Sequence, residues 1–273
     1  MQLSRILTLG AAVMAIAWFT STRSAEGQAG RGAPPPAAAS AQLIEDLVAG
    51  NRILANEGVL DGYGHISARH DKNPNHFLLS RDLAPALVNA ADLMEFDLNA
   101  EAIEAQPRRM YQERFIHAAI YKARPDVKAV IHSHTPSVLP FASSTVELKP
   151  MYHMADFLVP GIPVWEIRRS EDSIGMLVNT PRLGASLAAT LGDKAVALMR
   201  GHGAVIVGPS ISETVSRGVI LDVNARVHFQ AIALGGTIRY LTPQDLGVPT
   251  SAPQPGAAYP RSWDAWKQKA MGK

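Results

Sequence analysis

Three histidines near apolar segments carry the pattern most suggestive of chemistry. His132 and His134 are separated by one residue and follow the apolar run at residues 127–131. In an extended segment, residues i and i+2 point to the same face, so both imidazoles can converge on one point. His202 lies between two glycines, which allow close backbone approach. Three neutral imidazoles with one open coordination position are typical of catalytic zinc, so the pattern predicts a divalent metal site.

Each of these features also has a structural explanation, and both readings stay open at this point. The H-x-H pair can be two polar residues at a strand end, and His202 can be a turn histidine bonded to backbone. The sequence contains no cysteine, which excludes disulfides, thiolate zinc sites and a cysteine nucleophile. Any metal must therefore be held by His, Asp or Glu.

Glu113 is a carboxylate with two possible roles, which the sequence alone does not separate. It opens a predicted helix and precedes His132 by nineteen positions. A carboxylate near a divalent metal can move a proton or ligate the ion. The alternative is that Glu113 only interacts favourably with the dipole of its own helix. His117 follows one turn later on the same face, and we interpret it as a structural histidine.

Helix and strand signals alternate along the chain and predict a single α/β domain. Apolar residues at helical spacing predict helices at residues 41–56, 113–122, 180–191 and 212–234. Short apolar runs with β-branched residues predict buried strands at residues 127–132, 195–199 and 204–207. The histidines then lie at strand ends, as a site built on a sheet edge requires.

The two ends of the chain are expected to lie outside this domain, which we place at residues 41–247. Residues 1–25 combine a positive start, an apolar run and small residues, which is typical of a signal peptide. The apolar run is shorter than the roughly 20 residues of a membrane span, so we expect export to the periplasm or secretion, with an uncleaved anchor as the alternative. Residues 26–40 predict a flexible Gly/Pro/Ala-rich tether. In the C-terminal tail, residues 248–273, Trp263 and Trp266 are the obvious anchors, either to the body of the domain or to a neighbouring subunit.

Composition narrows the class of partner. The formal net charge is +2, and no run of Lys and Arg stands out that could neutralise a row of phosphates. Nucleic acid is therefore not an expected partner. The 273 residues are long enough to bury a substantial core, and one domain is the simpler interpretation.

Four segments together resemble the class II aldolase/adducin family, and the resemblance covers residues 42–246. They are GYGHISAR at residues 62–69, Glu113 with its helix, HSH at residues 132–134 and RGHG at residues 200–203. Within the family, the runs at residues 111–121, 163–167 and 198–208 resemble the branch that contains 3-hydroxy-2-methylpyridine-4,5-dicarboxylate 4-decarboxylase. The resemblance implies a three-layer α/β/α sandwich, a homotetramer with active sites between subunits, a metal on the three histidines and a catalytic Glu113.

Departures from the sugar-phosphate aldolases of this family indicate the substrate. Those enzymes have Asn in the position of His65, a Thr-Gly pair near Arg81, and Ser-Ser where this chain has Tyr111 and Gln112. Losing small hydroxyls argues against a phosphate and for a planar carboxylate, which arginine can bind at two points. We predict that a carboxylated, unphosphorylated substrate, aromatic acids included, contacts four residues: His65, Ser67, Arg81 and Tyr111.

Each of these residues has an alternative role. Arg81 can pair with a surface acid such as Asp82, and His65 can be a structural turn histidine. Ser67 can stabilise its loop instead of a substrate anion. The sequence does not separate these roles.

The predicted activity is metal-dependent carbon–carbon cleavage, most simply decarboxylation of a hydroxy- or oxo-carboxylate. A divalent ion, zinc first and manganese or ferrous iron as alternatives, would act as the Lewis acid, and Glu113 would handle a proton. One alternative is a retro-aldolase, which would release an aldehyde from an unphosphorylated sugar or hydroxy acid. An epimerase acting on the same class of substrate would only invert a stereocentre. A ferrous oxidative decarboxylase would depend on oxygen. An adducin-like binding protein is disfavoured, because adducin-like domains lack the metal residues that this chain has.

Overall fold

The computed structural model of the protein describes residues 38–103, 108–170, 174–247 and 260–272. The predicted signal peptide, most of the predicted tether and residues 248–259 of the predicted tail lie outside the described residues. Export and secretion therefore stay predictions. Within the described ranges, none of the helices combines the length and apolar character needed to cross a bilayer.

A seven-stranded mixed sheet forms the middle layer of the fold. In chain order its strands are β1 (His65–Arg69), β2 (His76–Ser80), β3 (Leu93–Asp97), β4 (Ala129–Ser133), β5 (Val164–Trp165), β6 (Val196–Met199) and β7 (Gly203–Gly208). Their spatial order is β3-β2-β1-β4-β7-β6-β5. Neighbouring strands are antiparallel except for the parallel pair β5 and β6.

Helices cover both faces of this sheet. They are α1 (Ala41–Asn56), α2 (Arg114–Ala123), the short α3 (Leu139–Ala142), α4 (Pro181–Leu191), α5 (Ile211–Leu234) and α6 (Pro260–Met271). Apolar side chains of α1 and α5 pack on one face, and those of α2 and α4 on the other. The predicted three-layer α/β/α sandwich in a single domain is therefore confirmed.

Alternation along the strands decides which side chains reach the layer of α2 and α4. In β4, Ile131 packs with α1 and α5, whereas Val130 packs with α2 and α4. Successive strand residues point to opposite faces, so His132 shares the face of Val130. In β1, Ile66 packs with α1 and α5, which turns His65 toward the same α2 layer. Both imidazoles are therefore directed toward the beginning of α2.

The predicted helices and strands agree with the structure within two residues at their ends. The Ser40 hydroxyl accepts a hydrogen bond from the Leu43 amide at 3.2 Å, which caps α1, and Thr180 caps α4 in the same way. Gly235 ends α5 with φ 73°, in the left-handed region that glycine adopts easily.

Helix α6 was not predicted, although its two tryptophans were predicted to anchor the C-terminal tail. Trp263 and Trp266 pack as partly buried side chains against the core on the α1 side, which agrees with the first of their two predicted anchoring sites, the body of the domain. Lys267 adds ion pairs to Glu45 and Asp46 of α1, each at 3.0 Å. The mostly polar composition of this segment concealed its helical character.

Candidate metal centre

The predicted ligands converge at one edge of the sheet. His132 lies at the end of β4, and its strand neighbour in β1 is His65. On the other side of β4, Ser133 pairs with Ala204 at the start of β7, directly after the segment that carries His202. Antiparallel pairing therefore brings the end of β4 and the beginnings of β1 and β7 to the same place.

Four side chains form the centre itself. Glu113, His132, His134 and His202 each offer one ligand atom, and these atoms all lie within 4.8 Å of one another. Oε2 of Glu113 lies 3.2 Å from Nε2 of His132 and 3.5 Å from Nε2 of His202. The rings of His134 and His202 stack with centroids 5.1 Å apart, and His132 stands edge-on to both.

A ring nitrogen without a hydrogen-bond partner indicates that the cluster fits a cation. Nε2 of His132 is buried, faces Oε2 of Glu113 and makes no hydrogen bond among the described residues. Such a group costs about 1–3 kcal/mol when left unsatisfied. Imidazole nitrogen and carboxylate oxygen are ligands for zinc, manganese and ferrous iron alike. The donor set therefore fits one divalent cation without specifying which.

Glu113 is buried and directed at this cluster. It occupies the N-cap position of α2, but its side chain does not cap the helix. Instead, Oε1 accepts a hydrogen bond from the Val178 amide at 2.8 Å, which leaves Oε2 facing the histidines. Burial would raise the pKa of the Glu113 carboxyl, but the close approach of His132 and His202 outweighs it and holds the pKa well below its usual range. Glu113 is therefore an ionised carboxylate with one oxygen available.

Asp61 supports the centre and was not recognised in the sequence. Both of its carboxylate oxygens lie 3.2 Å from Nδ1 of His134. Oδ1 also accepts hydrogen bonds from the amides of Tyr63 at 2.9 Å and Gly64 at 2.8 Å. Burial alone would raise the pKa of Asp61, but these backbone hydrogen bonds and His134 have the larger effect, so the pKa lies below its usual value. An ionised Asp61 fixes the proton of His134 on Nδ1 and leaves Nε2 for the centre.

The two glycines beside His202 have separate structural reasons. Gly201 has φ 65°, which disfavours residues with a side chain. A Cβ atom at Gly203 would lie 1.9 Å from the carbonyl oxygen of Ser133. The close backbone approach expected at this turn is therefore present, and it brings His202 beside the end of β4. Arg200 adds an ion pair to Glu166, which follows β5.

His65 lies beside the centre, where the sequence predicted a substrate contact. Its ring is 1% exposed and lies 5.3 Å from the His132 ring and 4.3 Å from the Tyr111 ring, measured between centroids. Burial, then the neighbouring His117 and His132, lower its pKa well below the usual value. His65 is therefore a neutral imidazole.

Ser67 and Tyr111, two of the predicted substrate contacts, form hydrogen bonds within the fold. Ser67 is fully buried behind His65, and its hydroxyl contacts Nδ1 of His117 at 2.6 Å and Oη of Tyr121 at 2.8 Å. Tyr111 is also buried, and its hydroxyl donates to the carbonyl oxygen of Leu83. Both hydroxyl groups are engaged within the fold, and the direct substrate contacts predicted for them stay predictions.

Arg81 forms an ion pair with a surface acid, as the alternative prediction stated, but the acid is Asp92 and not Asp82. Its Nε donates to Oδ1 of Asp92 at 2.8 Å, while Asp82 pairs with Arg109 at 2.6 Å. The Arg81 side chain is 38% exposed. It directly follows β2, the strand next to β1, and so lies at the same sheet edge as His65. Carboxylate binding by Arg81 stays a prediction.

Comparison with known proteins agrees with this geometry. Residues 45–229 match the family described as Class II Aldolase and Adducin N-terminal domain. Decarboxylase tropJ of Talaromyces stipitatus is 36% identical over 204 residues, which cover 70% of this chain and 77% of that protein. The 3,4-dihydroxyphthalate decarboxylase of Arthrobacter keyseri is 28% identical, with 80% of this chain and 88% of that protein covered. Among solved structures, L-fuculose 1-phosphate aldolase from Glaciozyma antarctica PI12 has a TM-score of 0.70 and 27% identity, covering 88% of this chain and 94% of that one.

Proposed function

Because this chain belongs to the class II aldolase and adducin family, we propose that it is a metal-dependent decarboxylase of an aromatic hydroxy-carboxylate. The observation that carries the proposal is the complete ligand set of Glu113, His132, His134 and His202. The curated relatives described above are decarboxylases. A binding role of the adducin type would not require this ligand set.

The substrate class follows from the chemistry that the relatives' names share with the predicted branch. A 3,4-dihydroxyphthalate and a 3-hydroxypyridine-4,5-dicarboxylate both carry a hydroxyl next to a carboxylate on an aromatic ring. We infer that the substrate of this chain has the same pair of neighbouring oxygen groups. A divalent ion bound by the cluster would act as a Lewis acid toward such oxygens and stabilise the negative charge left when carbon dioxide departs.

The protein's own groups supply the proton transfer. Oε1 of Glu113 is held by the Val178 amide, so Oε2 is fixed in orientation. In the proposed reaction Oε2 accepts the proton of the substrate hydroxyl. When the carbon–carbon bond breaks, its electron pair stays on the ring carbon, and Glu113 returns the proton to that carbon. Arg81, which is partly exposed at the same edge, is the proposed partner of a substrate carboxylate.

Three further features belong to the proposal. Zinc is the proposed ion, with manganese and ferrous iron as the alternatives. A homotetramer is proposed from the family resemblance, and exposed apolar side chains in the second half of α5, Phe229 at 55% and Leu234 at 87%, support association. Export to the periplasm or medium is proposed from the pattern of residues 1–25.

Metal analysis combined with product analysis tests the activity. The protein is purified after growth with zinc, manganese and iron, beside His134→Ala and the control His153→Ala, which changes an exposed histidine outside the cluster. We expect one equivalent of metal per chain in the wild type and in the control, and loss of it in His134→Ala. With 3,4-dihydroxyphthalate as substrate and oxygen excluded, we expect carbon dioxide release to follow metal content.

The other outcomes choose between the alternatives. Aldehyde release from an unphosphorylated hydroxy acid would favour the retro-aldolase, and turnover only with oxygen would favour the ferrous oxidative decarboxylase. No metal in any of the three proteins, even after reconstitution, would refute the lyase and favour a binding protein.

A further inference from the structure

Four polar side chains form a continuous hydrogen-bonded row behind the metal centre. Nδ1 of His65 lies 2.7 Å from Nε2 of His117, and Nδ1 of His117 lies 2.6 Å from Oγ of Ser67. Oγ of Ser67 lies 2.8 Å from Oη of Tyr121. All four residues are at most 1% exposed. Protons in this row must therefore be shared among the four groups, because water does not reach them.

The tyrosine end decides the direction in which these bonds run. Burial raises the pKa of Tyr121 above its ordinary value, so its hydroxyl keeps its proton. Among the described residues, Ser67 is the side chain positioned to accept that proton. If the row ran in the opposite direction, the buried Tyr121 hydroxyl would have no acceptor, an unfavourable arrangement. Tyr121 therefore donates to Ser67, and the single proton of Ser67 is left for His117.

The same direction of hydrogen bonding continues from Ser67 through His117 to His65. Burial, followed by the effect of His132, lowers the pKa of His117 to about 3, so the ring is neutral. A neutral imidazole has one donor and one acceptor nitrogen. Nδ1 of His117 accepts from Ser67, so Nε2 carries the proton and donates to Nδ1 of His65.

We propose that this row holds His65 as the neutral tautomer protonated on Nε2, which donates a hydrogen bond to an anionic oxygen of the substrate. The inference rests on the proposed function and adds to it a specificity-determining donor. His65 pairs with His132 across β1 and β4, so its ring lies beside the metal centre. Its Nε2 has no hydrogen-bond partner within the ranges that the structure describes. Tyr121, Ser67 and His117 are then positioning residues that act through His65.

This arrangement selects for one feature of the substrate. A carboxylate or phenolate oxygen beside the metal would accept the Nε2 proton of His65. A molecule of the same shape without that oxygen would leave the donor buried and unpaired. A hydrogen bond to a charged group is worth about 1.5–3 kcal/mol, which corresponds to about ten- to a hundred-fold in kcat/KM.

The tautomer of His65 can be measured without any substrate. Zinc-loaded protein with ring-¹⁵N histidine would be studied by two-dimensional NMR, and His65→Gln would identify the signals of His65. We expect a proton on Nε2 of His65 in the wild type and a mixture of tautomers in Ser67→Ala. The control is Ser216→Ala, because Ser216 is also buried but its hydroxyl bonds to the backbone oxygen of Ser212 at 2.9 Å. It should leave the His65 signals unchanged.

Kinetics with 3,4-dihydroxyphthalate provide the second measurement. Ser67→Ala should lower kcat/KM about ten-fold or more, whereas Ser216→Ala should not change it. A wild-type His65 protonated on Nδ1, or equal effects of the two serine variants, would overturn the proposal. The wild-type spectrum alone decides the tautomer if Ser67→Ala is unstable. Absence of carbon dioxide release by the wild type would instead count against the proposed function.

Discussion

Replacing Asp61 with asparagine should weaken metal binding without disturbing the loop that carries it. Asn keeps a side-chain oxygen that can accept the hydrogen bonds of the Tyr63 and Gly64 amides, now 2.9 and 2.8 Å long. What Asp61→Asn removes is the negative charge 3.2 Å from Nδ1 of His134. That charge makes the His134 ring a better electron donor and fixes its proton on Nδ1.

The expected magnitude follows from the geometry of this contact. Substitution of a carboxylate that orients a metal-bound histidine typically lowers metal affinity about 10- to 100-fold. The Asp61 side chain is 48% exposed, so solvent screens part of its interaction with His134. We therefore expect the lower end of that range, about ten-fold, which corresponds to about 1.4 kcal/mol.

Competition with a chromophoric zinc chelator at neutral pH measures this change. The matched control is Asp71→Asn, because the Asp71 carboxylate likewise accepts from a backbone amide, that of Ser40 at 3.3 Å, but lies beyond the opposite end of β1. The control should bind zinc as the wild type does. An unchanged affinity in Asp61→Asn, or an equal loss in Asp71→Asn, would refute the role assigned to Asp61.

Two further predictions concern stability. Folding lowers the pKa of His117 from 6.5 to about 3, so the unfolded chain binds an additional proton as the pH falls, and stability present above pH 6.5 is lost toward pH 3. His117→Gln should therefore reduce the slope of unfolding free energy against pH by up to about 1.4 kcal/mol per unit, measured with urea in EDTA between pH 7 and 5; an unchanged slope would contradict this. Gly203→Ala places a Cβ 1.9 Å from the Ser133 carbonyl oxygen and should lower the free energy of unfolding by more than about 2 kcal/mol. The control Gly62→Ala, whose Cβ would meet no atom within 4 Å, should change it by less than about 0.5 kcal/mol in the same titration; equal effects would speak against the clash.

Much of the fold could be predicted because its helices and central strands have clear apolar periodicity. The helix at residues 41–56 and the strands around residues 127–132 and 204–207 were predicted in this way. Strand β1 was not, because its five residues are all buried and include His65, Ser67 and Arg69. These polar residues alternate with Ile66 and Ala68, but two apolar residues are too few to form the apolar run from which the other strands were predicted.

The candidate site could be predicted only where spacing along the chain carries the information. Two histidines at positions i and i+2 of a strand predict that both side chains lie on one face. The glycines beside His202 predict a close approach of the backbone. The partners of Asp61 and Arg81 could not be predicted, since they depend on how distant segments pair: Asp61 meets a histidine 73 positions away. His117 was correctly interpreted as lying outside the metal cluster, but its bonds to His65 and Ser67 needed the packed helix α2.

The metal ligands are far apart in the sequence, so the complete site exists only in the folded chain. The place where the chain folds is therefore the place where the ion is bound. Only His132 and His134 are close in sequence, and Glu113 and His202 join them after α2 has packed and β7 has paired with β4. An unfolded chain thus presents one histidine pair, a poor competitor for any cation. If residues 1–25 direct the unfolded chain across a membrane, loading takes place after translocation. The ion acquired would then reflect the metals available outside the cytoplasm, since affinity order alone does not decide occupancy.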